Sequence, residues 1–247
     1  MSLLRIEQLN KSFGSLVVSR DLDLEVRPGE RHIVIGPNGA GKTTLLHQIG
    51  GQVRPTSGRI WFDGMDITPL PPEARARRGL ARTFQKNTLF ANLSVFENVR
   101  LGIQAAHGSP YNLFRPTHKI AGLNDRTAQI LERMGLTQVS GTALTKLSYG
   151  DLRQIEVAVA LSSGPKLLLL DEPTSGLSPA ETRAMIATIK NLPRQITILM
   201  IEHDMEVVFS VADRISVLYY GELIASGSPE EVRADRRVQE IYLGGAV

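Results

Sequence analysis

Nine consecutive residues constrain this chain more than any other stretch: Gly36-Pro37-Asn38-Gly39-Ala40-Gly41-Lys42-Thr43-Thr44. Their spacing fits G-x-x-x-x-G-K-[ST]. The apolar run Arg31 to Ile35 precedes them, and Thr43 to Ile49 reads as the opening of a helix. A strand that breaks through a glycine-rich turn into a helix N-terminus gathers unpaired N–H groups at one point, where an anion is favoured. Gly36, Gly39 and Gly41 let the backbone approach phosphates closely, because side chains there would stand in the way. In such a loop Lys42 reaches the β/γ-phosphates and the Thr43 hydroxyl coordinates Mg²⁺. The alternative is a glycine-rich turn with an incidental lysine, which requires neither the strand before it nor the helix after it. The stretch therefore predicts a nucleoside triphosphate site.

Composition narrows the classes further. With 42% hydrophobic and 21% charged residues over 247 positions, the chain is of ordinary globular type and long enough for a substantial core. Only 5% of residues are aromatic, so aliphatic side chains must fill that core. No run approaches the roughly 20 apolar residues of a membrane span. The opening M-S-L-L-R-I-E places charges too early for a signal peptide. With no cysteine, disulfides, thiolate metal sites and iron–sulfur clusters are excluded, which suits a cytosolic setting. A net charge of +3 is mild and does not argue for nucleic acid.

Along the chain, Leu3 to Leu9 and Asp21 to Val26 alternate apolar and polar residues, the pattern of half-buried strands. Between them, Phe13 is open to two readings, hairpin packing or stacking on a base. Trp61, the one tryptophan, reads as core or sheet packing. Arg75, Arg77, Arg78, Arg82 and Lys86 form the densest basic run, either a solvated helix face or a patch for a partner or phosphate. Leu80 to Phe84 reads as a strand ending at Gln85, a position where α/β folds place functional groups. Ser94 to Leu101 begins a helix with Ser94 as cap and Glu97 completing a capping box. Residues 102–122 lose periodicity and read as an exposed loop or insertion. Leu123 to Met134 is helical, and L-S-Y-G-D at Leu147 to Asp151 precedes an amphipathic helix running to about Leu161.

Lys166 to Leu170 is a fully buried parallel-type strand, and Asp171-Glu172 follow it directly. Two acids after four leucines are costly unless metal, solvent or hydrogen bonds receive them. The placement predicts Asp171 on Mg²⁺ and Glu172 positioning the attacking water. Pro179 opens a helix to about Leu192, and Gln195 to Ile201 is the next buried strand. His203 follows it at the same sheet edge and reads as a nucleotide sensor, against the structural role of a lone histidine. Arg214 to Tyr219 and Glu222 to Ala225 read as a hairpin, and a polar helix closes the chain near Tyr242. The expected fold is α/β: a P-loop NTPase core with a mixed sheet and antiparallel N-terminal strands, plus an inserted helical subdomain. Within the single domain 1–247, residues 1–86 and 163–247 form the nucleotide-binding core and about 87–162 the helical part.

Taken together these segments resemble the ATP-binding cassette (ABC) ATPases over essentially the whole chain. The resemblance implies that Gly36 to Thr44 is Walker A and that Leu167 to Asp171 is Walker B. It makes Glu172 the catalytic glutamate, His203 the switch histidine and Lys42 a phosphate-holding partner in catalysis. Gln85 falls at the Q-loop, implying contact with Mg²⁺ and the γ-phosphate and a link to a membrane partner. Ser148, Tyr149, Gly150 and Asp151 occupy the signature, normally L-S-G-G-Q, whose serine hydroxyl and second glycine N–H grip a γ-phosphate. Ser175, Gly176, Leu177 and Ser178 occupy the D-loop, with Ser178 where many relatives carry aspartate. Phe13 falls where the family stacks an aromatic on adenine. ATP and Mg²⁺ are the implied cofactors.

Within the family, L-S-Y-G-D, the R-T-F-Q run at Arg82 to Gln85, G-L-S-P-A-E-T from Gly176 and the closing E-I-Y-L-G resemble the ATPases of branched-chain amino acid importers. The insertion holding Tyr111 to Lys119 resembles one of their two ATPase subunits. Urea importers and lipopolysaccharide exporters are similar enough to stand as alternatives, and a soluble cassette ATPase acting on nucleic acid or ribosomes is a distant one. The resemblance implies a head-to-tail pair with a second ABC ATPase, identical or paralogous. It further implies two transmembrane permease subunits and, indirectly, a periplasmic or extracellular solute-binding protein. No nucleic acid is expected, and the place of work is the cytoplasmic face of the inner membrane.

Overall fold

A computed structural model describes residues 2–83, 89–107 and 122–243. The chain divides into two compact units. One comprises Met1–Arg75, Leu169–Glu172 and Pro193–Val247; the other comprises Ala76–Leu168 and Pro173–Leu192.

The first unit carries two sheets. Its N-terminal sheet is antiparallel, with the order β2-β1-β4-β5, built from β1 (Leu4–Phe13), β2 (Leu16–Val26), β4 (Ser57–Phe62) and β5 (Met65–Asp66). The alternation in the sequence stops at Leu9, yet pairing continues to the hairpin between Phe13 and Leu16. The reason is a series of register shifts between Ile6 and Ser12, with Gln8 and Asp21 in left-handed backbone. A bulge inserts an unpaired residue, so the period-2 signal fails while the ladder goes on.

The second sheet includes β3 (Arg31–Ile35), β8 (Thr197–Ile201), β9 (Arg214–Tyr219), β10 (Glu222–Gly227) and the end of β7 (Leu167–Asp171). Its strands here run in the order β10-β9-β3-β8-β7. Strand β3 pairs in parallel with β8 and β9, and β9 with β10 antiparallel, so the sheet is mixed as expected. Every residue of β3, β7 and β8 is buried, the signature of strands covered on both faces. Helix α1 (Lys42–Gly50) follows β3 and buries Leu45, Leu46 and Ile49. The core is aliphatic as the composition requires, with Phe62 the one aromatic among the buried hydrophobics of the described residues.

Arg75 itself departs from both readings of the basic run. It sits in α2 (Pro72–Ala76), is 1% exposed, and donates to four main-chain carbonyls. These are Leu70 at 2.9 Å, Gln48 and Ile49 at 2.7 Å each, and Thr68 at 3.1 Å. The last carbonyls of a helix lack intrahelical donors, and Arg75 supplies them for α1. Arg77 and Arg78 are exposed. Lys86 lies outside the described residues.

The second unit is mainly helical, with α3 (Val95–His107), α4 (Leu123–Arg133), α5 (Tyr149–Leu161) and α6 (Pro179–Asn191), and one short strand β6 (Leu80–Arg82). The expected capping box is present: Glu97 Oε2 accepts from Ser94 N at 2.8 Å, and Ser94 Oγ from Glu97 N at 3.2 Å. Helix α3 nonetheless runs past Leu101 to His107, so the first six residues of the expected loop are helical. Gly102 lies within this helical stretch. A Cβ there would lie 2.2 Å from Ser162 Oγ, so the glycine serves close packing against the end of α5. Residues 108–121 of the expected insertion lie outside the described residues. Among the described residues no helix is long and apolar enough to cross a membrane.

Candidate functional site

The phosphate loop leaves β3 at Ile35 and enters α1 at Lys42. Gly41 caps α1 in left-handed backbone, φ 103°, with no side chain accepting from the first turn and no acid within it. The helix N-terminus therefore keeps its N–H groups and positive end for an incoming anion. Two of the loop glycines are required by the protein itself, not only by close approach of a phosphate. A Cβ on Gly36 would lie 2.2 Å from the Leu218 carbonyl oxygen, and one on Gly41 2.6 Å from that of Val18. Strand β9 and the first hairpin thus clamp the loop, and Gly221 N donates to Ala40 O at 3.1 Å.

Lys42 is 6% exposed and donates to the carbonyls of Gly36 at 2.7 Å and Pro37 at 3.0 Å. Burial pulls its pKa below the usual lysine value, while Glu172 and Asp171 oppose that pull. Lys42 is thus a buried cation held by its own loop, close enough to Glu172 and Asp171 to feel their charge. Asp171 ends β7 and is buried, and Thr43, at the second position of α1, is partly exposed.

Glu172 directly follows β7 and takes φ 45°, a conformation rare for a residue with a side chain. Its N–H donates to the Ile201 carbonyl at 3.0 Å. That geometry turns its carboxylate toward the end of β8, where His203 Nδ1 lies 3.6 Å from Glu172 Oε1. The His203 side chain is 58% exposed and that of Glu172 28%, so water reaches both. Asp204 caps α7 (Met205–Val211) by accepting from Glu206 N and Val207 N, which fixes the chain just after His203. Lys42, Asp171, Glu172 and His203, far apart in sequence, belong to one unit and converge at one sheet edge.

Phe13 ends β1 with 50% exposure, so hairpin packing does not bury it. The Lys11 ammonium lies 4.6 Å from its ring centroid, within cation–π range, and also donates to Arg54 O. Trp61 lies on the N-terminal sheet as expected, with its indole N–H on Glu7 at 2.7 Å and Arg5 over its ring. Gln85 lies outside the described residues.

In the second unit, Ser148 is the N-cap of α5. Its hydroxyl accepts from Asp151 N at 3.1 Å, and Asp151 Oδ2 accepts from Ser148 N at 3.2 Å. Asp151 thus completes a capping box in the place where the family carries glutamine. Tyr149 is 48% exposed, accepts from Arg153 Nε through its hydroxyl at 2.9 Å, and stands beside Gly176. A Cβ on Gly176 would lie 3.2 Å from the Tyr149 ring, and Gly176 takes φ 78°. Leu177 N donates to Thr174 O, closing the turn that begins near Ser175, and Ser178 caps α6 with Glu181 in a third box. Glu181 also accepts from Gly150 N at 3.2 Å. Sequence reasoning missed Glu181 and Arg75. The S-x-x-E spacing from Ser178 held the signal for the first; nothing in the sequence signalled the second.

Among the described residues no three His, Asp or Glu side chains converge to hold a metal by themselves.

Comparison with known proteins adds to this geometry. Residues 19–175 match the family model described as ABC transporter, and residues 222–247 match that of the branched-chain amino acid ATP-binding cassette transporter. The chain is 38% identical to the high-affinity branched-chain amino acid transport ATP-binding protein LivG of Escherichia coli, over 99% of this chain and 98% of that protein. It is 36% identical to BraF of Pseudomonas aeruginosa, with the same coverage. It is also 34% identical to the lipopolysaccharide export system ATP-binding protein LptB of Acidithiobacillus ferridurans, over 98% of this chain and 97% of that protein. A crystal structure of the ADP conformation of an ATP-binding cassette of an ABC transporter superposes with a TM-score of 0.86, at 31% identity and 99% coverage of both chains.

Proposed function

Since the chain belongs to the ABC transporter ATPases, we propose that it hydrolyses ATP to power import of branched-chain amino acids through separate transmembrane subunits. The observation that carries the substrate assignment is the C-terminal match at 222–247 to the branched-chain cassette model, joined to full-length similarity to LivG and BraF.

The chemistry follows from the first unit's residues. Backbone N–H groups of Asn38 to Thr44 cradle the phosphates, and Lys42 turns from its own loop carbonyls to the β/γ-phosphates. The hydroxyl of Thr43 and the carboxylate of Asp171 are hard oxygen donors of the kind Mg²⁺ takes alongside substrate phosphates, and Gln85 joins them. When bound, Mg²⁺ neutralises charge on the transferring phosphoryl group. Glu172 orients the attacking water and accepts its proton, and His203 stabilises the phosphoryl charge. Phe13 stacks on adenine. Ser148 and Gly150 hold the γ-phosphate of the ATP bound to a second ATPase subunit, identical or paralogous, with the D-loop from Ser175 to Ser178 beside them. The nucleotide-binding core, 1–86 and 163–247, which carries the helical part at about 87–162, then closes on its partner, and the motion passes through the Gln85 region to two permease subunits. This assembly works at the cytoplasmic face of the membrane, fed by a solute-binding protein on the far side.

Deleting the gene should abolish high-affinity uptake of radiolabelled leucine, and the wild-type chain, but not Glu172→Gln, should restore it. The similarity to LptB favours a second reading, the ATPase of a lipopolysaccharide exporter. Intact uptake with lipopolysaccharide retained at the inner membrane would select that reading.

A further inference from the structure

Glu181 lies in the first turn of α6, behind the D-loop, and its two carboxylate oxygens do different work. Oε2 accepts from the Ser178 N–H at 2.9 Å and the Ser178 hydroxyl at 2.7 Å, a capping box for α6. Oε1 crosses to α5 and accepts from the Gly150 N–H at 3.2 Å. The approach is close: a Cβ on Gly150 would lie 2.4 Å from Oε1 and under 3 Å from Cδ and Cγ as well. Any side chain at position 150 would exclude Glu181. Ser178 hydrogen bonds hold the carboxyl below its usual range, with smaller contributions from the Gly150 N–H and the Ser148 hydroxyl, so it is an anion at neutral pH.

The Ser148 hydroxyl and Gly150 N–H are the two groups assigned above to the partner's γ-phosphate. In the single chain the Gly150 N–H donates to Glu181, while the Ser148 hydroxyl donates to Asp151 Oδ2 at 2.9 Å and only weakly influences Glu181. A phosphate that takes the Gly150 N–H meets the carboxylate already accepting from it, and two anions within hydrogen-bonding range of one donor repel. We propose that Glu181 is a positioning residue that occupies the signature N–H in the unpaired subunit and must withdraw from it when the ATP of a second subunit arrives. It thereby sets the ATP concentration at which two subunits close. The same carboxylate anchors Ser178, so its withdrawal also loosens the start of the D-loop helix and links closure to the D-loop.

This inference rests on the two-subunit reading, and the test separates the two. Closure is followed by size-exclusion chromatography with light scattering over an ATP titration, in a Glu172→Gln background that retains the nucleotide. The further variant Glu181→Gln keeps the shape and the capping oxygen but removes the charge. It should lower the ATP midpoint for dimer formation about 3- to 10-fold, with the difference shrinking in high salt as the repulsion is screened. In the otherwise wild-type chain it should lower KM for ATP more than it changes kcat. Glu181→Ala, which forfeits the cap as well, should shift the midpoint in the same direction. If Glu181 merely caps α6, both variants leave the midpoint unchanged or raise it, and the inference is overturned. If Glu172→Gln alone forms no ATP-dependent dimer with itself or with a co-expressed paralogous ATPase, the two-subunit reading fails first.

Discussion

Replacing Arg75 tests whether one buried guanidinium holds the end of the helix that begins at the phosphate loop. Burial lowers its pKa from the ordinary arginine value to about 10, with Asp66 opposing the fall. At about 1.4 kcal/mol per tenfold change in acidity, keeping the charge buried costs about 3 kcal/mol. Against that stand hydrogen bonds to four carbonyls, none longer than 3.1 Å. A bond to a charged group contributes about 1.5–3 kcal/mol, so the set exceeds the desolvation cost. Arg75→Met removes every donor and leaves buried carbonyls unpaired, and the expected loss is about 3–5 kcal/mol. For a chain of this size that lowers Tm by roughly 6–20 °C. Arg75→Lys keeps a charge but has one nitrogen, which cannot reach Leu70 and the end of α1 together, so an intermediate loss of about 2 kcal/mol is expected. The sign with pH is fixed by the folded pKa lying below the unfolded one. The burial cost is fully present below about pH 10 and is relieved as pH rises above it. Guanidinium unfolding of the three proteins, compared at constant m, gives the differences. A loss below about 1 kcal/mol for Arg75→Met would refute the reasoning.

Other expectations follow from the same geometry. Glu172→Gln should lower phosphate release about 10²- to 10⁴-fold while a fluorescent ATP analogue binds as before; turnover near wild type would remove Glu172 from its assigned role. Gly36→Ala places a methyl 2.2 Å from the Leu218 carbonyl oxygen, so it should cost about 1–3 kcal/mol in thermal unfolding and at least tenfold in nucleotide affinity. Phe13→Ala should weaken ATP binding by about 1–2 kcal/mol without altering Tm appreciably, because the ring is half-exposed. Glu30 supplies a pH dependence: burial would raise its carboxyl, but the neighbouring His32 ring, 3.4 Å away, and the hydrogen bond from the Arg27 N–H outweigh this and hold it below 4.5. The stability it contributes is fully present above about pH 4.5 and is lost as pH falls through the lower folded value. Glu30→Gln should therefore flatten the acid limb of a Tm-against-pH curve.

The order and type of most elements are legible in the sequence because burial writes them as periodicity. The uninterrupted apolar runs of β7 and β8, ending at Asp171 and before His203, are clear for that reason. The stretch Gly36 to Thr44 stands out because phosphate binding needs particular residues at fixed spacing, and Leu147 to Asp151 because Ser148 and Gly150 sit in a frame that resembles the family signature. Where the reading stopped short, at Leu9 in β1 and Leu101 in α3, a bulge and a packing glycine mimic the signals that end elements.

What only the tertiary structure decides is which distant groups meet. Sequence alone sets that Glu172 and His203 end neighbouring types of strand; the fold brings them to 3.6 Å and turns Glu172 into left-handed backbone to do so. Sequence alone marks Arg75 as one of five basic residues; the fold buries it on the carbonyls that close α1. The contact of Glu181 with Gly150 spans 31 positions. Local patterning cannot encode such a pair, because periodicity reports which face of an element is covered, not which donor covers it. Hydrogen bonds depend on distance and direction, and those exist once the elements have packed.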